Sequence, residues 1–335
     1  MLNAIAPLAR PRNEFTMRMK RRRMVKMTRH MPTTLQLGVL ASTLSPDIAE
    51  SARLAREAGF SGLLFDAVST GLDFTELSVT GRRDFRRVIG QQGQQIIGLS
   101  VSAGTDGMSR KADVDRVLNR LEQIFAAAVG IQSMLVCLEL GPVPVAAEEV
   151  RVLPRVTAEQ AGLLLLPDPP AAAPAANVAA PKIDVAAQTH FDAALKELAA
   201  RADRNGVMLA LRSDLANFAA LDRAMSATDC PWFGIDLDPV ALLQDDWPAD
   251  EVFSRLGSRI RHVRARDAQA GGQSGSQRRT RPVAIGRGAT EWNRLLAQLA
   301  DCGYHGWLTV DSTELANRQA AAVAAAEYLK PLLVG

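Results

Sequence analysis

Residues 261–267 read RHVRARD. The alternation is that of a β-strand, in which side chains two positions apart share a face. His262, Arg264 and Arg266 therefore point one way, and Val263 and Ala265 the other. One face of an interior strand then carries an imidazole and two permanent cations. Such a face is unfavourable in a poorly solvated interior unless carboxylates answer it. Where those carboxylates come from depends on what the rest of the chain builds.

Seven further apolar runs precede or follow this one: LQLGVLA (35–41), GLLFDAV (62–68), QIIGLSV (95–101), SMLVCLEL (133–140), VMLALRS (207–213), WFGIDLD (232–238) and WLTVDS (307–312). Most are too continuously apolar for a half-solvated sheet and fit strands covered on both sides. Helical patterns lie between them. SPDIAESARLAREAGF offers Ser45 as N-cap, Pro46 at the first helical position and Gly59 as stop. DVDRVLNRLEQIFAAAVG sets Val114, Val117, Leu118, Leu121 and Ile124 on one stripe and ends at Gly130. Two more patterns end at Gly206 and Gly303, and NRQAAAVAAAEYLKPLL closes the chain. Alternating strands and helices make right-handed βαβ units with a parallel sheet. Eight units over 34–335 predict an α/β fold, a (β/α)8 TIM barrel. A doubly wound open sheet is the alternative, but no GxGxxG follows an early strand.

Charge is unevenly spread. Residues 1–31 carry nine Lys or Arg against Glu14 alone, a net +8, so the overall +3 leaves +3 − 8 = −5 for the remainder. Residues 1–33 are read as a basic, disordered leader; an electrostatic tail for nucleic acid or anionic lipid is the competing reading. The acidic body argues against nucleic-acid binding through the barrel. Cys137, Cys230 and Cys302 are far apart and suit a reducing, cytoplasmic setting. No apolar run approaches the roughly 18 residues of a membrane span. Homo-oligomerisation is left open. A Pro/Ala-rich insertion at about 141–186 follows the fourth strand, and residues 268–282, rich in Gly, Ser and Arg, read as a mobile loop.

In a parallel barrel the C-terminal strand ends converge on one mouth. Those ends hold Asp66, Glu139, Arg212, Asp236, Asp238, Arg264, Arg266, Asp267 and Asp311. Each alone also reads as a solvated loop charge or a strand-end brace. Arg212, Asp238, Arg264 and Asp311 sit on inward faces and are assigned to a functional cleft. His262 reads equally as a core histidine. Gly286 and Gly288 in IGRGATEW would let backbone amides approach a phosphate, or would simply form a tight turn before a helix.

From about Leu35 to the end the chain resembles the xylose isomerase-like TIM barrels, the sugar phosphate isomerases and epimerases. The resemblance is carried by AREAGFSGL, NGVMLAL, FGIDLDPVALL, IRHVRARDA and, most specifically, AIGRGATEWNRLLAQLADCGYHGWLTVD. Members of that family usually hold one divalent metal through Glu, Asp, His and Glu on strands five to eight. By motif, these positions fall on Arg212, Asp238, Arg264 and Asp311, and a frequent second histidine falls on Ala241. A guanidinium has no lone pair to give a metal. The resemblance therefore implies a site with no metal expected, in which Asp238 and Asp311 are the residual ligand positions. Arg212 and Arg264 would then fork onto Asp238 or Asp311, and their surplus donors would favour an anion.

The expected catalytic residues are Glu139, Asp238 and Asp311, and the expected substrate-binding residues are Arg212, Arg264, Arg266 and His262. The resemblance implies a sugar or sugar phosphate isomerase or epimerase acting on a carbohydrate or sugar acid. A catalytically inactive barrel that binds an anionic carbohydrate, or regulates through it, stands beside that reading. The metal-dependent abasic-site endonucleases of the superfamily need a histidine cluster, and this chain has only His30, His190, His262 and His305.

Overall fold

The computed structural model describes residues 35–104, 107–108, 111–144, 185–212, 218–228, 230–245, 247–274 and 277–334. The barrel strands are β1 (Gln36–Leu40), β2 (Gly62–Asp66), β3 (Gln95–Ser102), β4 (Leu135–Glu139), β5 (Met208–Arg212), β6 (Phe233–Leu237), β7 (Ile260–Ala265) and β8 (Trp307–Val310). They close into one parallel barrel in which each strand pairs with its sequence neighbours and β8 returns to β1. Closure excludes the doubly wound alternative. Each strand falls within one of the eight apolar runs, allowing for a residue or two at its ends.

The outer layer comprises α1 (Ile48–Ala58), α2 (Val79–Gln91), α3 (Lys111–Gly130), α4 (Val185–Asn205), α5 (Phe218–Thr228), α6 (Pro239–Gln244), α7 (Ala249–Leu256), α8 (Trp292–Asp301) and α9 (Arg318–Val334). The apolar stripe of α3 is buried as its spacing predicts, with Leu118, Leu121 and Ile124 at 2% exposure or less. α1 starts later than its Ser-Pro signal suggests. Asp47, extended at φ −81°, is the N-cap and accepts from the Glu50 amide at 2.7 Å, while Ser45 Oγ accepts from the Asp47 amide at 3.1 Å. The helix stops at Gly59, whose φ of 74° suits a residue without Cβ. α2, α5, α6 and α7 were not anticipated; α6 and α7 are short, and α2 has little apolar content outside Phe85 and Ile89.

The main core lies between strands and helices, and includes Phe65, Phe74 and Phe85, which meet edge-on or tilted at 4.9–5.9 Å between ring centres. Inside the barrel the apolar filling is small: Leu40, Leu64, Ile97, Cys137 and Ala210, with Leu135 and Trp307 packed against them. Trp307 fits because Gly62 faces it; a Cβ on Gly62 would lie 2.7 Å from the indole. The upper half of the interior is polar, and it forms the floor of the site described below.

Residues 268–274 and 277–282 are not an irregular loop. They belong to an antiparallel hairpin, Asp267–Ser274 against Gln277–Val283, with Asp267 opposite Val283 and Gln269 opposite Arg281. Gln244 of α6 donates to Thr280 at 2.7 Å and ties the hairpin to the barrel. Composition hid this element because a ladder is made by backbone groups that polar side chains leave intact. The leader lies outside the described residues, as does most of the insertion, although residues 185–186 already belong to α4. No helix among the described residues is long and apolar enough to cross a membrane.

Candidate functional site

A cleft of about 380 Å³ opens at the C-terminal ends of the strands, lined among others by Asp66, Ser100, Glu139, Arg212, Arg264 and Asp311. Register builds its floor. Asp236 on β6 is the paired neighbour of His262 on β7, and Arg264 on β7 is the paired neighbour of Thr309 on β8. The period of two then turns all four side chains into the barrel. His262 Nδ1 meets Asp236 Oδ1 at 2.5 Å, and Nε2 meets Thr309 Oγ1 at 2.7 Å. Arg264 donates through Nε and Nη2 to Asp236 Oδ2 at 3.2 and 3.1 Å, through Nη1 to Asp311 Oδ2 at 2.9 Å, and through Nη2 to Ser100 Oγ at 3.2 Å.

This network is dry. Asp236, His262, Arg264 and Thr309 are all at 2% exposure or less. Burial alone would raise the Asp236 carboxyl, but Arg264 and then His262 override it and hold the group well below the usual carboxylate range. Burial works the same way on Asp311, where Arg264 and Thr313 prevail and lower it. Burial, reinforced by Asp236, pushes the Cys137 thiol well up.

A second chain of charges runs along the rim. Glu139 and Arg212 are paired neighbours on β4 and β5, and Arg212 Nη2 donates to Glu139 Oε2 at 2.7 Å. Arg212 Nη1 lies 3.9 Å from Asp238 Oδ2, the oxygen that Arg266 Nη1 approaches at 3.3 Å. Arg266 Nη2 in turn donates to both oxygens of Glu314 at 2.9 and 3.0 Å. Asp238 also caps α6, accepting from the Val240 amide at 2.9 Å. Burial pushes its carboxyl above the ordinary value despite Arg266 and Arg212.

The Gly-x-Gly loop is no phosphate cradle. The amides of Gly286, Gly288 and Thr290 donate to the Asp267 carboxylate at 2.9, 3.1 and 3.2 Å, and the Ala268 amide and the Trp292 indole N–H join them. Asp267 is buried at 3% exposure and supplies the anion itself. A Cβ on Gly288 would lie 2.0 Å from Asp267 Oδ1, so the glycine is there for this carboxylate.

The structure thus brings Glu139, Arg212, Arg264 and Asp311 into the cleft and sets Asp238 and Arg266 at its rim. Arg264 reaches Asp311 as anticipated, whereas the hydrogen bond of Arg212 goes to Glu139 and not to Asp238. His262, expected to touch substrate, is fully buried beneath the floor, because its position on β7 is one layer below the mouth. Asp236 was read only as a strand-end acid, yet it organises the floor; its pairing with His262 depends on register, which no local pattern shows. Glu314 was missed because it lies on the loop after β8. Among the described residues there is no surplus of positive charge: six carboxylates (Asp66, Glu139, Asp236, Asp238, Asp311, Glu314) meet four guanidiniums (Arg120, Arg212, Arg264, Arg266) in or just behind the cleft.

The donor set does not fit a divalent cation. Two of the four positions at which the family resemblance implies ligands, Arg212 and Arg264, hold guanidiniums, which offer no lone pair and repel a cation. Asp311 and Asp238 are already engaged by Arg264, Arg266 and the α6 cap. Cys137, Asp236 and His262 do bring donor atoms within 4.8 Å of one another. Both imidazole nitrogens and both Asp236 oxygens are occupied there, and the thiol is held protonated.

Comparison with known proteins agrees with this geometry at the level of fold. The xylose isomerase domain protein of Planctomyces limnophilus superposes with a TM-score of 0.65 at 15% identity, covering 89% of this chain and 96% of its own. The D-psicose 3-epimerase of Clostridium cellulolyticum H10, solved with D-tagatose, gives 0.63 at 13% identity, with 89% and 99% covered. A xylose isomerase-like TIM barrel protein of Mycobacterium smegmatis, solved with magnesium, gives 0.60 at 14% identity, with 90% and 96% covered. No curated protein matches the chain by sequence at a significant level. The family model for the xylose isomerase-like TIM barrel matches residues 52–332, and the chain belongs to that family.

Proposed function

We propose that this barrel takes a neutral sugar at its mouth and acts as an isomerase or epimerase of the sugar type without a divalent cation. The observation that carries the proposal is the Arg264 guanidinium, held by Asp236, Asp311 and Ser100 at a position where the family resemblance implies a metal ligand. It cancels in place the carboxylate charge that a cation otherwise cancels. The excess of carboxylates over guanidiniums favours an uncharged polyol over the sugar phosphate or sugar acid that the sequence suggested. The cleft volume suits a monosaccharide. Structural neighbours were solved with D-tagatose and with D-allulose, both uncharged ketoses.

Glu139 and Arg212 are the pair placed to do chemistry. Glu139 takes the proton from a carbon beside the sugar carbonyl, and the bond pair moves into the new C=C as the carbonyl pair moves onto oxygen. Arg212 holds that oxygen as it becomes anionic. Glu139 then returns the proton to the former carbonyl carbon while the proton of the neighbouring hydroxyl passes to the anionic oxygen beside Arg212, so the hydroxyl carbon becomes the new carbonyl and aldose and ketose interconvert with no co-reactant. Asp311 is engaged by Arg264 and Thr313, which hold its carboxyl below the usual carboxylate range against the pull of burial. The three cysteines, all free thiols, suit a reducing compartment.

The test is calorimetry and deuterium exchange with D-tagatose and D-allulose in D2O, on protein stripped with chelator. Binding together with exchange at carbon next to the carbonyl is expected, and Glu139→Gln should abolish exchange while leaving binding within a few-fold. Dependence on added Mn²⁺ or Mg²⁺ for either readout would overturn metal independence. A non-catalytic, sugar-binding reading is favoured by one observation, the ion pairing of Glu139, Asp238 and Asp311; binding without exchange would select it.

A further inference from the structure

We infer that Glu314 is a specificity-determining residue that closes the mouth to acidic sugars by occupying Arg266. The inference rests on the reading of the mouth as a sugar site and goes beyond it to the charge of the ligand admitted. Arg266 is largely buried, with 19% of its side chain exposed, and donates through Nη2 to both oxygens of the Glu314 carboxylate while Nη1 faces Asp238. A carboxylate or phosphate on a ligand would seek the same Nη2 donors. Glu314, with 48% of its side chain exposed, follows Thr313, which lines the cleft, and shares with Arg266 a smaller pocket that borders the cleft at Asp311.

The loop does not need this contact to fold. Thr313 donates through its amide and hydroxyl to Asp311 Oδ1 at 3.1 and 2.6 Å, the Leu315 amide donates to Ser312 O at 3.0 Å, and Ser312 Oγ donates to Arg318 O at 2.8 Å. Four bonds hold residues 311–318 without the Glu314 side chain. Glu314 is half exposed, so solvent screens the pair and it contributes little to stability. Its effect is on ligand charge: on one side of Arg266 lies the buried Asp238, and on the other Glu314 uses the donors a ligand anion would want. Removing the Glu314 charge frees one edge of the guanidinium toward the cleft and relieves one negative charge at its lip.

The experiment compares D-gluconate with D-glucitol, which differ by a carboxylate in place of a terminal hydroxymethyl group, by calorimetry on the full chain. Glu314→Gln should raise the affinity for D-gluconate relative to D-glucitol about tenfold or more, and Arg266→Gln added to it should remove the gain. A ratio unchanged in Glu314→Gln, or a gain that persists in the double variant, overturns the inference. If neither compound binds any of the proteins, the sugar reading falls. Inorganic phosphate then tests Glu314 by itself: Glu314→Gln must gain phosphate binding that Arg266→Gln abolishes, and no gain sinks it.

Discussion

Arg264 and Asp236 are joined by two hydrogen bonds to one carboxylate oxygen, 3.2 and 3.1 Å long, in the buried floor of the cleft. The pair ties β6 to β7, and through Asp311 it reaches the end of β8. Replacing Arg264 with Met keeps the bulk of the stem and leaves two carboxylates uncompensated. The expected cost is ~3–5 kcal/mol, the usual size for breaking a buried ion pair from one side. Urea denaturation at neutral pH measures it, and a loss under about 1 kcal/mol would mean that Asp236 is satisfied without the guanidinium.

The same guanidinium decides the response to metals. Chelator-stripped protein titrated with Mn²⁺, Mg²⁺, Zn²⁺ or Co²⁺ should show no saturable rise in thermal midpoint, because a ligand that binds only the folded state would raise it. Arg212→Glu combined with Arg264→His restores four ligand-type side chains and should create such a rise. A wild-type shift that Asp238→Asn removes would reinstate a metal at the mouth.

Acid sensitivity follows from Asp236 and Asp311, both held below the ordinary carboxylate value in the folded state. The unfolded chain takes up protons near pH 4, the ordinary Asp value, while the folded chain refuses them at these two sites. Their contribution is therefore complete above about pH 5 and is lost as pH falls toward the lowered folded values. Asp238, raised by burial, has the opposite sign: its contribution is present at low pH and fades as pH rises through its folded value. Stability measured from pH 6 to 3 should fall with decreasing pH, and Asp236→Asn should flatten that fall while lowering the plateau. An unchanged slope in the variant contradicts the assignment.

Asp267 gives a prediction independent of the mouth. Asp267→Asn keeps the shape but points an NH2 at some of the five donors that converge on the carboxylate. Loss of roughly 3 kcal/mol is expected, set by charged hydrogen bonds that become unsatisfied. Amide exchange should accelerate first at Gly286, Gly288 and Thr290. Uniform acceleration across the barrel would instead mark a general destabilisation.

Much of the barrel was readable because its signals are local. A strand covered on both faces writes itself as an apolar run, and Gly59, Gly206 and Gly303 end their helices at positive φ, where other residues are strained. The hairpin at 267–283 was not readable, since Gly, Ser and Arg carry no apolar alternation and its ladder is backbone alone. At Gly286 and Gly288 the motif leaves a phosphate-binding loop and a tight turn equally open; the loop does gather amides, but around Asp267.

The sequence alone fixed which residues face inward, for a period of two leaves His262 and Arg264 no other side of β7, and it fixed the alternation that closes into a barrel. It did not fix which carboxylate meets which guanidinium. That was decided by the register of β6 against β7, the cap of α6 and the return of the chain after β8, all relations between segments tens of residues apart. Hydrogen bonding acts over about 3 Å, so its partners are chosen only once closure has brought those segments together.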